Sequence, residues 1–521
     1  LIKRTYIKGG EYYDSITLLE ISQGILAVPG VKDAAVVMGT PANRGLLEAA
    51  NLLTPEAAAA RPDDLVIAVL AEDEAAAEAA LKEAERLMKA SRQVTAEKSG
   101  LEAPPKTLSA ALERLEGKAN IALVSVAGRY AAGVAREALD RGLHVFLFSD
   151  NVSLEDEIAL KTYAREKNLL VMGPDAGTAI INNVALGFAN VVPAGPVGVV
   201  SAAGTGLQAV TSYLARAGVG ITQGIGTGGR DLKAEVGGIM MLEGLKALQM
   251  DPATRVITLV SKPPSPEVAE RILMRVEASE KPTVVLFLGG DREMIEQAGG
   301  YAARDLEEAA TLAAALARGE DPQAALETLR AQRAALLPRA EALKAKLQPQ
   351  QRYFRGLFSG GTFCYETQLL LREADLEVYS NAPVDKQLRM ADSNRSTGNV
   401  AVDLGEDEFT VGRLHPMIDP SLRNRRILQE ARDPETAVIF LDVVIGYGSH
   451  DDPAGEAAKA IAEAQALARA EGREIIFVAS VCGTEADPQR LSAQEAKLRA
   501  VGVEVLPSNA AATLLAAHLL R

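Results

Sequence analysis

Two stretches decide how this chain is read: "GVVSAAGTGLQAV", Gly198 to Val210, and "GLFSGGTFCYE", Gly356 to Glu366. Each ends an apolar run at a turn of small residues and then opens an amphipathic pattern. Each therefore predicts a strand, a tight turn and a helix. Outward from them the parallels continue in the same order. "DPATRVITL" (Asp251 to Leu259) and "DPETAVIFL" (Asp433 to Leu441) agree at six of nine positions, and each follows a helical pattern and opens a strand. Further on, "PTVVLFLGG" corresponds to "REIIFVASVCG", and "EEAATLAAAL" to "NAAATLLAAHL". The spacing between matching blocks grows along the chain, which places insertions in the second copy, one of them around "NRSTGNVAVDLGEDEFTVG". Ordered matches of this kind mean an internal duplication of a doubly wound α/β unit of roughly 125 residues.

The other segments fit around this pair. Residues 1–92 read β-α-β-β-α, a small ferredoxin-like α+β module with Gly30 stopping its first helix. The polar "SRQVTAEKSGLEAPPK" reads as a linker. Strand and helix patterns alternate through 117–193 and end in "LLVMG", which predicts a Rossmann-like half-domain with a parallel sheet. The duplicated flavodoxin-like domains take 194–318 and 351–521, and a charged helical linker, 319–350, joins them. The expected fold class is α/β.

At 521 residues the chain exceeds a single core, and 48% apolar with 24% charged residues describes a globular protein. Its longest apolar runs fall well short of the ~20 residues of a membrane span. No secretory apolar region opens the chain, so a cytoplasmic protein is expected. A net charge of −14 argues against nucleic acid or anionic membrane as a partner. Two cysteines, Cys364 and Cys482, and four scattered histidines offer neither a disulfide framework nor a metal spacing. No P-loop is present, and no metal or cofactor is expected.

The duplicated junctions carry the chemistry. A helix leaves its first N–H groups without partners and concentrates partial positive charge there. Small residues at the turn let an anion approach, and Ser or Thr adds a hydroxyl. Ser201, Gly204, Thr205 and Gly206 make one such nest, and Ser359, Gly360, Gly361 and Thr362 the other. Both lie at the carboxyl end of a strand, where open parallel sheets bind ligands. Tight strand–helix packing also favours glycine, but a duplicated nest lets two helix starts clamp one anion between them.

Further candidates surround these nests. His415 in "RLHPMIDP" and His450 in "GYGSHDDPAG" follow apolar strands, and either could protonate a leaving nitrogen or orient a carbonyl. Arg413 stands two residues before His415. Arg230 could neutralise a phosphate or carboxylate, and Gly173, Asp175 and Gly228 belong to loops expected to line the same cleft. Asn183 could bond a substrate carbonyl or merely shape a turn. His144 and Cys364 read as core residues.

The run from Leu169 to Val210, with "GIGTGGRD" (Gly224 to Asp231), resembles the junction of CoA-binding and ligase domains in succinyl-CoA synthetase alpha subunits. This resemblance implies a CoA-binding-type domain at 117–193, ligase-type duplicates, and two helix starts that hold one phosphate. "VMGTPANRG", "GPDAGTAIINN", "FSGGTFCYE" and "RLHPMIDPSLRNRR" resemble, in order, the blocks of FdrA-type proteins, usually labelled acyl-CoA synthetases. The chain departs from the ligases after "VVLFLGG", where "DREMIEQAGG" replaces the Gly-His-Ala-Gly loop that carries their phosphohistidine. FdrA-type proteins are also associated with ureide (allantoin, purine) catabolism. That association implies a subunit of oxamate carbamoyltransferase acting with companion subunits or as a homo-oligomer. The expected function is therefore a carbamoyltransferase that takes carbamoyl phosphate, phosphate and an oxamate-like acid between the duplicated domains. The alternatives are an acyl-CoA synthetase subunit without its own phosphohistidine, and a non-catalytic scaffold or sensor that binds an anion.

Overall fold

The segment Thr436–Val444, "TAVIFLDVV", is buried at every position. A parallel strand covered by helices on both faces requires such an unbroken apolar run rather than an alternating one. Its single charged residue, Asp442, has a task described below. The computed structural model of the chain describes residues 1–9, 13, 15–62, 64–99, 105, 107–410 and 413–521. They fall into two units, Leu1–Lys118 with Thr410–Leu414, and Ala119–Phe409 with His415–Arg521.

In the first unit, β1 (Ile2–Gly9), α1 (Ser15–Leu26), β2 (Val31–Met38), β3 (Asp64–Ala71) and α2 (Glu74–Ser99) build an antiparallel sheet of order β1-β3-β2. This is the ferredoxin-like arrangement with three strands among the described residues. The "GTPANRG" turn runs straight into a helix, Pro41–Ala49. Much of the expected linker is helical as well, because α2 continues to Ser99; residues 100–104 and 106 of that linker lie outside the described residues.

The second unit begins with three parallel strands, β4 (Ile121–Val124), β5 (His144–Leu147) and β6 (Val171–Met172), in that order, with helices α3 (Gly128–Asp140) and α4 (Leu154–Glu166) between them. A hairpin, β7 (Thr178–Ile181) and β8 (Val184–Gly187), leads into the first duplicate. That copy runs β9 (Ala194–Ser201), α5 (Gly204–Arg216), β10 (Ile221–Gly226), α6 (Ile239–Met250), β11 (Val256–Ser261), β12 (Thr283–Phe287), β13 (Tyr301–Ala302) and α7 (Leu306–Arg318). Helices α8 (Pro322–Ala334) and α9 (Leu337–Lys344) form the linker, pinned by Arg333, which pairs with Asp305 at 2.7 Å. The second copy runs β14 (Tyr353–Phe358), α10 (Gly361–Glu373), β15 (Tyr379–Ser380), β16 (Val400–Asp403), α11 (Ser421–Ala431), β17 (Thr436–Val444), β18 (Ile476–Cys482), β19 (Glu504–Leu506) and α12 (Asn509–Leu520).

The two sheets read β13-β12-β11-β9-β10 and β19-β18-β17-β14-β16, the same order with the same strand leading into each nest. The hairpin β7–β8 extends the first sheet beyond β10, and β15 extends the second at the corresponding edge, beyond β16. One difference from the sequence reading stands out. The segment taken as an insertion, "NRSTGNVAVDLGEDEFTVG", supplies β16, the counterpart of β10 and an integral strand of the sheet. Helices α5, α7, α10 and α12 share one hydrophobic core, in which Leu207, Leu214 and Leu312 meet Phe363, Leu371 and Leu515. The duplicates therefore fold as one body around a pseudo-twofold. Among the described residues no helix is long and apolar enough to cross a membrane.

Candidate functional site

The two nests meet. Thr205 Oγ1 donates to Thr362 Oγ1 at 3.1 Å, and the Thr362 N–H reaches Thr205 Oγ1 at 3.4 Å. Equivalent residues of the two copies thus touch across the pseudo-twofold. A Cβ on Gly360 would lie 2.7 Å from Thr205 Cγ2, so only glycine lets the helix starts come this close. Contact is direct: both threonines are buried, and the solvent-reached positions of the junction are Ala202, Gly204 and Gly361.

The halves differ in what their amides do. In the first, the N–H groups of Gly204, Thr205 and Gly206 have no acceptor among the described residues, and α5 has no side-chain cap. Ser201 Oγ is turned inward, donating to the Ala203 carbonyl at 2.8 Å. In the second, the N–H groups of Ser359 and Gly360 both donate to Asp442, each at 2.7 Å. Arg423 Nη1 donates to Ser359 Oγ at 2.7 Å and to Asp442 Oδ1 at 3.3 Å. The expectation that Ser359 and Gly360 face a ligand anion is thereby corrected, because a buried carboxylate of the chain already fills that nest. Burial raises the Asp442 carboxyl and lowers the Arg423 guanidinium, while each partner opposes the other's shift.

Around the helix starts, Gly405 brings Asp403 and His415 together. Its N–H donates to Asp403 Oδ1 at 2.9 Å. A Cβ there would stand 2.8 Å from His415 Nε2 and 3.2 Å from Asp403 Oδ1. Asp403 ends β16, and burial, Glu406 and Asp442 push its carboxyl up to about 7, against backbone bonding from Gly405 and the charge of Lys262. His415 Nδ1 accepts the Met417 N–H at 3.2 Å, and Phe188 packs on the ring at 5.7 Å between centroids. Burial pulls His415 down to about 4, so the imidazole is neutral and carries its proton on Nε2. Lys262, just beyond β11 of the other copy, holds its ammonium 5.2 Å from the Tyr365 ring centre.

The expected cleft loops divide. Gly228, at φ 86°, approaches so closely that a Cβ would sit 2.5 Å from the Pro174 carbonyl, which brings it against Gly173. Asp175 follows, open to solvent yet hemmed in by protein. Burial, Asp150 and Asp407 raise it to about 6, and Arg230 opposes them. Arg230 itself is engaged, with Nε 2.8 Å from Glu157 and Nη2 on the Val152 carbonyl at 2.8 Å, so it clamps two segments together. Asn183 lies elsewhere. It is the exposed tip of the β7–β8 hairpin, at φ 62° beside Asn182 at 48°, by the amino end of β10; the site is at the opposite end of that strand. Its task is the turn, which needs two left-handed residues.

His450 is joined to the His415 turn through its backbone, its N–H donating to the Met417 carbonyl at 2.8 Å, while its Nδ1 accepts the Asp452 N–H at 3.0 Å. Arg413 is exposed and falls in the Thr410–Leu414 segment of the first unit. His144 is half-buried and accepts the Leu170 N–H at 3.0 Å, and Cys364 is buried with its thiol raised, as core residues are. Among the described residues no three His, Cys, Asp or Glu side chains are grouped to hold a metal ion. Sequence reasoning missed Asp403, Asp442, Arg423 and Lys262. The signal was present for two of them, Asp442 inside an apolar strand run and Lys262 just past the end of one.

The family described as "CoA-ligase" matches residues 357–519, and that described as "CoA binding domain" matches 194–289. The latter match falls on the segment read as the first ligase-type copy. Residues 2–104 match "AllF, heavy metal-associated domain", although this segment contains neither Cys nor His. The alpha subunit of malate–CoA ligase from Methylorubrum extorquens is 29% identical over 33% of this chain, which spans 59% of that subunit's length. Among solved structures, a dinucleotide-forming acetyl-coenzyme A synthetase of Ca. Korarchaeum cryptofilum aligns over 77% of this chain and 82% of its own, at 14% identity and a TM-score of 0.33. The two family matches and the malate–CoA ligase relative correct the expectation of a carbamoyltransferase using carbamoyl phosphate and an oxamate-like acid in ureide catabolism. The matching domains and the malate relative carry CoA-ligase descriptions, which favour the acyl-CoA synthetase alternative. The "Uncharacterized protein YahF" of Escherichia coli (strain K12) is 44% identical over 98% of this chain and 97% of its own. The protein belongs to that YahF-like family of FdrA-type, acyl-CoA synthetase-like proteins, which joins an AllF-type N-terminal module to CoA-binding and CoA-ligase domains.

Proposed function

We propose that the protein is an acid–thiol ligase-type component that handles an acyl phosphate and the thiol of coenzyme A at the junction of its duplicated domains. The observation that carries this reading is the Thr205–Thr362 contact, which joins two helix starts from domains matching the CoA-binding and CoA-ligase families. The unpaired amides of Gly204, Thr205 and Gly206 suit a phosphoryl oxygen, and the α5 dipole favours its charge. His415 Nε2–H suits a carbonyl or a leaving phosphate on the other side.

The phosphoryl group enters from outside this chain. No histidine occurs between His144 and His415, and "DREM" follows Gly290 where the ligases carry their phosphohistidine loop. Malate–CoA ligase is named by subunits, and a companion subunit of that kind would supply the activated acid. The test omits ATP. The purified chain is mixed with coenzyme A and a panel of chemically prepared acyl phosphates, and thioester and free phosphate are followed together. Stoichiometric release of both is expected for at least one acid. No thioester from any of them refutes the reading.

A further inference from the structure

We propose that Asp403 is a catalytic carboxyl of this site, its Oδ2 taking the proton from the thiol that attacks the acyl group. The proposal rests on the acid–thiol ligase reading and adds the proton acceptor that reading lacks.

The geometry singles out one oxygen. Asp403 is held at the end of β16 by its own backbone, its N–H donating to Asn381 Oδ1 and its carbonyl accepting from Asn381 Nδ2, both at 2.9 Å. Oδ1 is occupied by the Gly405 N–H. Oδ2 has no partner among the described residues and lies 2.5 Å from where a Cβ of Gly361 would stand, at the solvent-reached start of α10. The residue is only 3% exposed, yet this oxygen keeps some contact with solvent. It therefore faces the solvent-reached start of α10.

The charges facing Asp403 come from three directions: Glu406 on its own loop, Asp442 on β17, and Lys262 beyond β11 of the other copy. The neutral His415 ring reaches the same side of Gly405, its Nε2 2.8 Å and Asp403 Oδ1 3.2 Å from where a Cβ there would stand. Burial and the two acidic neighbours outweigh Lys262 and bring the carboxyl close to neutral pH, where an acid–base group transfers protons best. Lys262 has no ion-pair partner among the described residues and is free to meet a phosphate. The step balances without a further reactant. The thiol S–H gives its proton to Asp403 Oδ2 as the S–C bond forms, and the C–O bond to phosphate breaks. Phosphate leaves with the electron pair while His415 Nε2–H bonds its oxygen, and the proton held by Asp403 passes to it through water, so that it departs as hydrogen phosphate and the carboxylate is restored.

The test follows thioester formation from acetyl phosphate and coenzyme A across the neutral pH range, with the full chain as wild type, Asp403→Asn and Asp403→Glu. A lost general base costs about 100-fold or more in kcat. Asp403→Asn is expected to show that loss with little change in KM for acetyl phosphate. The wild-type rate should rise through an inflection near neutrality that the Asn variant lacks, and Asp403→Glu should keep partial activity with a displaced profile. An Asn variant with wild-type kcat and profile overturns the proposal and leaves the ligase reading standing. If melting curves show that Asp403→Asn does not fold, the wild-type profile decides, and a flat profile through neutrality overturns the proposal. Absence of thioester in wild type with every acyl phosphate removes the ligase reading and this proposal together.

Discussion

Replacing Lys161 by Met is expected to destabilise the second unit by about 4 kcal/mol. Its Nζ donates to Glu157 Oε1 at 2.8 Å, to Asp231 Oδ1 at 2.8 Å and to the Thr227 carbonyl at 2.9 Å. All three charged side chains are fully buried. Asp231 also accepts the N–H groups of Met240 and Met241, which ties the start of α6 to the same centre. At 2.8 Å and an effective dielectric of about 20, each pair attracts by about 6 kcal/mol gross. Desolvation offsets much of that, so removal of one partner from a buried network costs about 3–5 kcal/mol, chiefly because Asp231 is left without a counter-charge while Glu157 keeps only Arg230. A unit of roughly 400 residues unfolds with an entropy of about 0.8 kcal/mol/K, so the melting temperature should fall by about 5 °C. Thermal and urea unfolding of Lys161→Met, Asp231→Asn and the double variant measure this. The double variant strands one carboxylate fewer, so it should lose less than the sum of the singles by about 1 kcal/mol or more. A Lys161→Met protein within 1 kcal/mol of wild type, or strictly additive variants, would refute the argument.

Two further outcomes are expected. Glu366 is buried between the copies, accepting from the Leu306 N–H at 2.8 Å and from Asn509 Nδ2 at 2.7 Å, and burial and Asp305 push it up to about 8. The folded state then holds this proton more tightly than the unfolded chain, so the stability it brings is full in acid and is lost as pH rises through about 8. Melting temperature should fall as pH climbs from the ordinary carboxylate range to about 8 and then level off; an equal fall in Glu366→Gln would disprove the assignment. Asn183→Ala should cost about 1–2 kcal/mol, the strain of a left-handed residue, whereas Asn183→Gly should cost little. Melting curves with and without phosphate check both, and a phosphate response lost in either variant would contradict a turn-only role.

The duplication was legible because strand–turn–helix junctions have strict local requirements. Small residues must sit where backbone approaches backbone, and an apolar run must precede them, so both copies kept their signature despite drift elsewhere. β16 was not legible, because a four-residue strand inside a polar stretch carries no periodicity to separate it from a loop. Its pairing with β14 decides it, and that is a tertiary fact. The site was half legible for a related reason. Which residues start the helices follows from local sequence, but the inward turn of the Ser359 and Gly360 amides depends on Asp442 arriving from a strand about eighty residues on. Arg230 shows the same limit. Its charge is plain in the sequence, whereas its partner Glu157 comes from a helix in the preceding domain.

The divergence between the copies supports a division of labour at the junction. Aligned through "DPATRVITL" and "DPETAVIFL", Asp442 occupies the position that Val260 holds in the first copy. Strand pairing agrees, since Val260 lies beside Ser201 and Leu441 beside Leu357. In the first copy the equivalent amides are satisfied without a charge, Ala202 N–H by the Val260 carbonyl at 3.0 Å and Ala203 N–H by Ser201 Oγ at 3.1 Å, so the α5 dipole stays uncompensated, a setting for an anion. An aspartate at the same place neutralises the second start from within, and Asp403 adds another carboxyl at its mouth. Two identical nests meeting at their threonines would have offered two neighbouring anion sites, and like charges that close repel in a poorly solvated junction. One substitution in a buried strand resolves the conflict. On the ligase reading proposed above, a phosphoryl group would rest on the first copy while the second offers Asp403 as proton acceptor and His415 Nε2–H as donor to the atoms bonded to that phosphate.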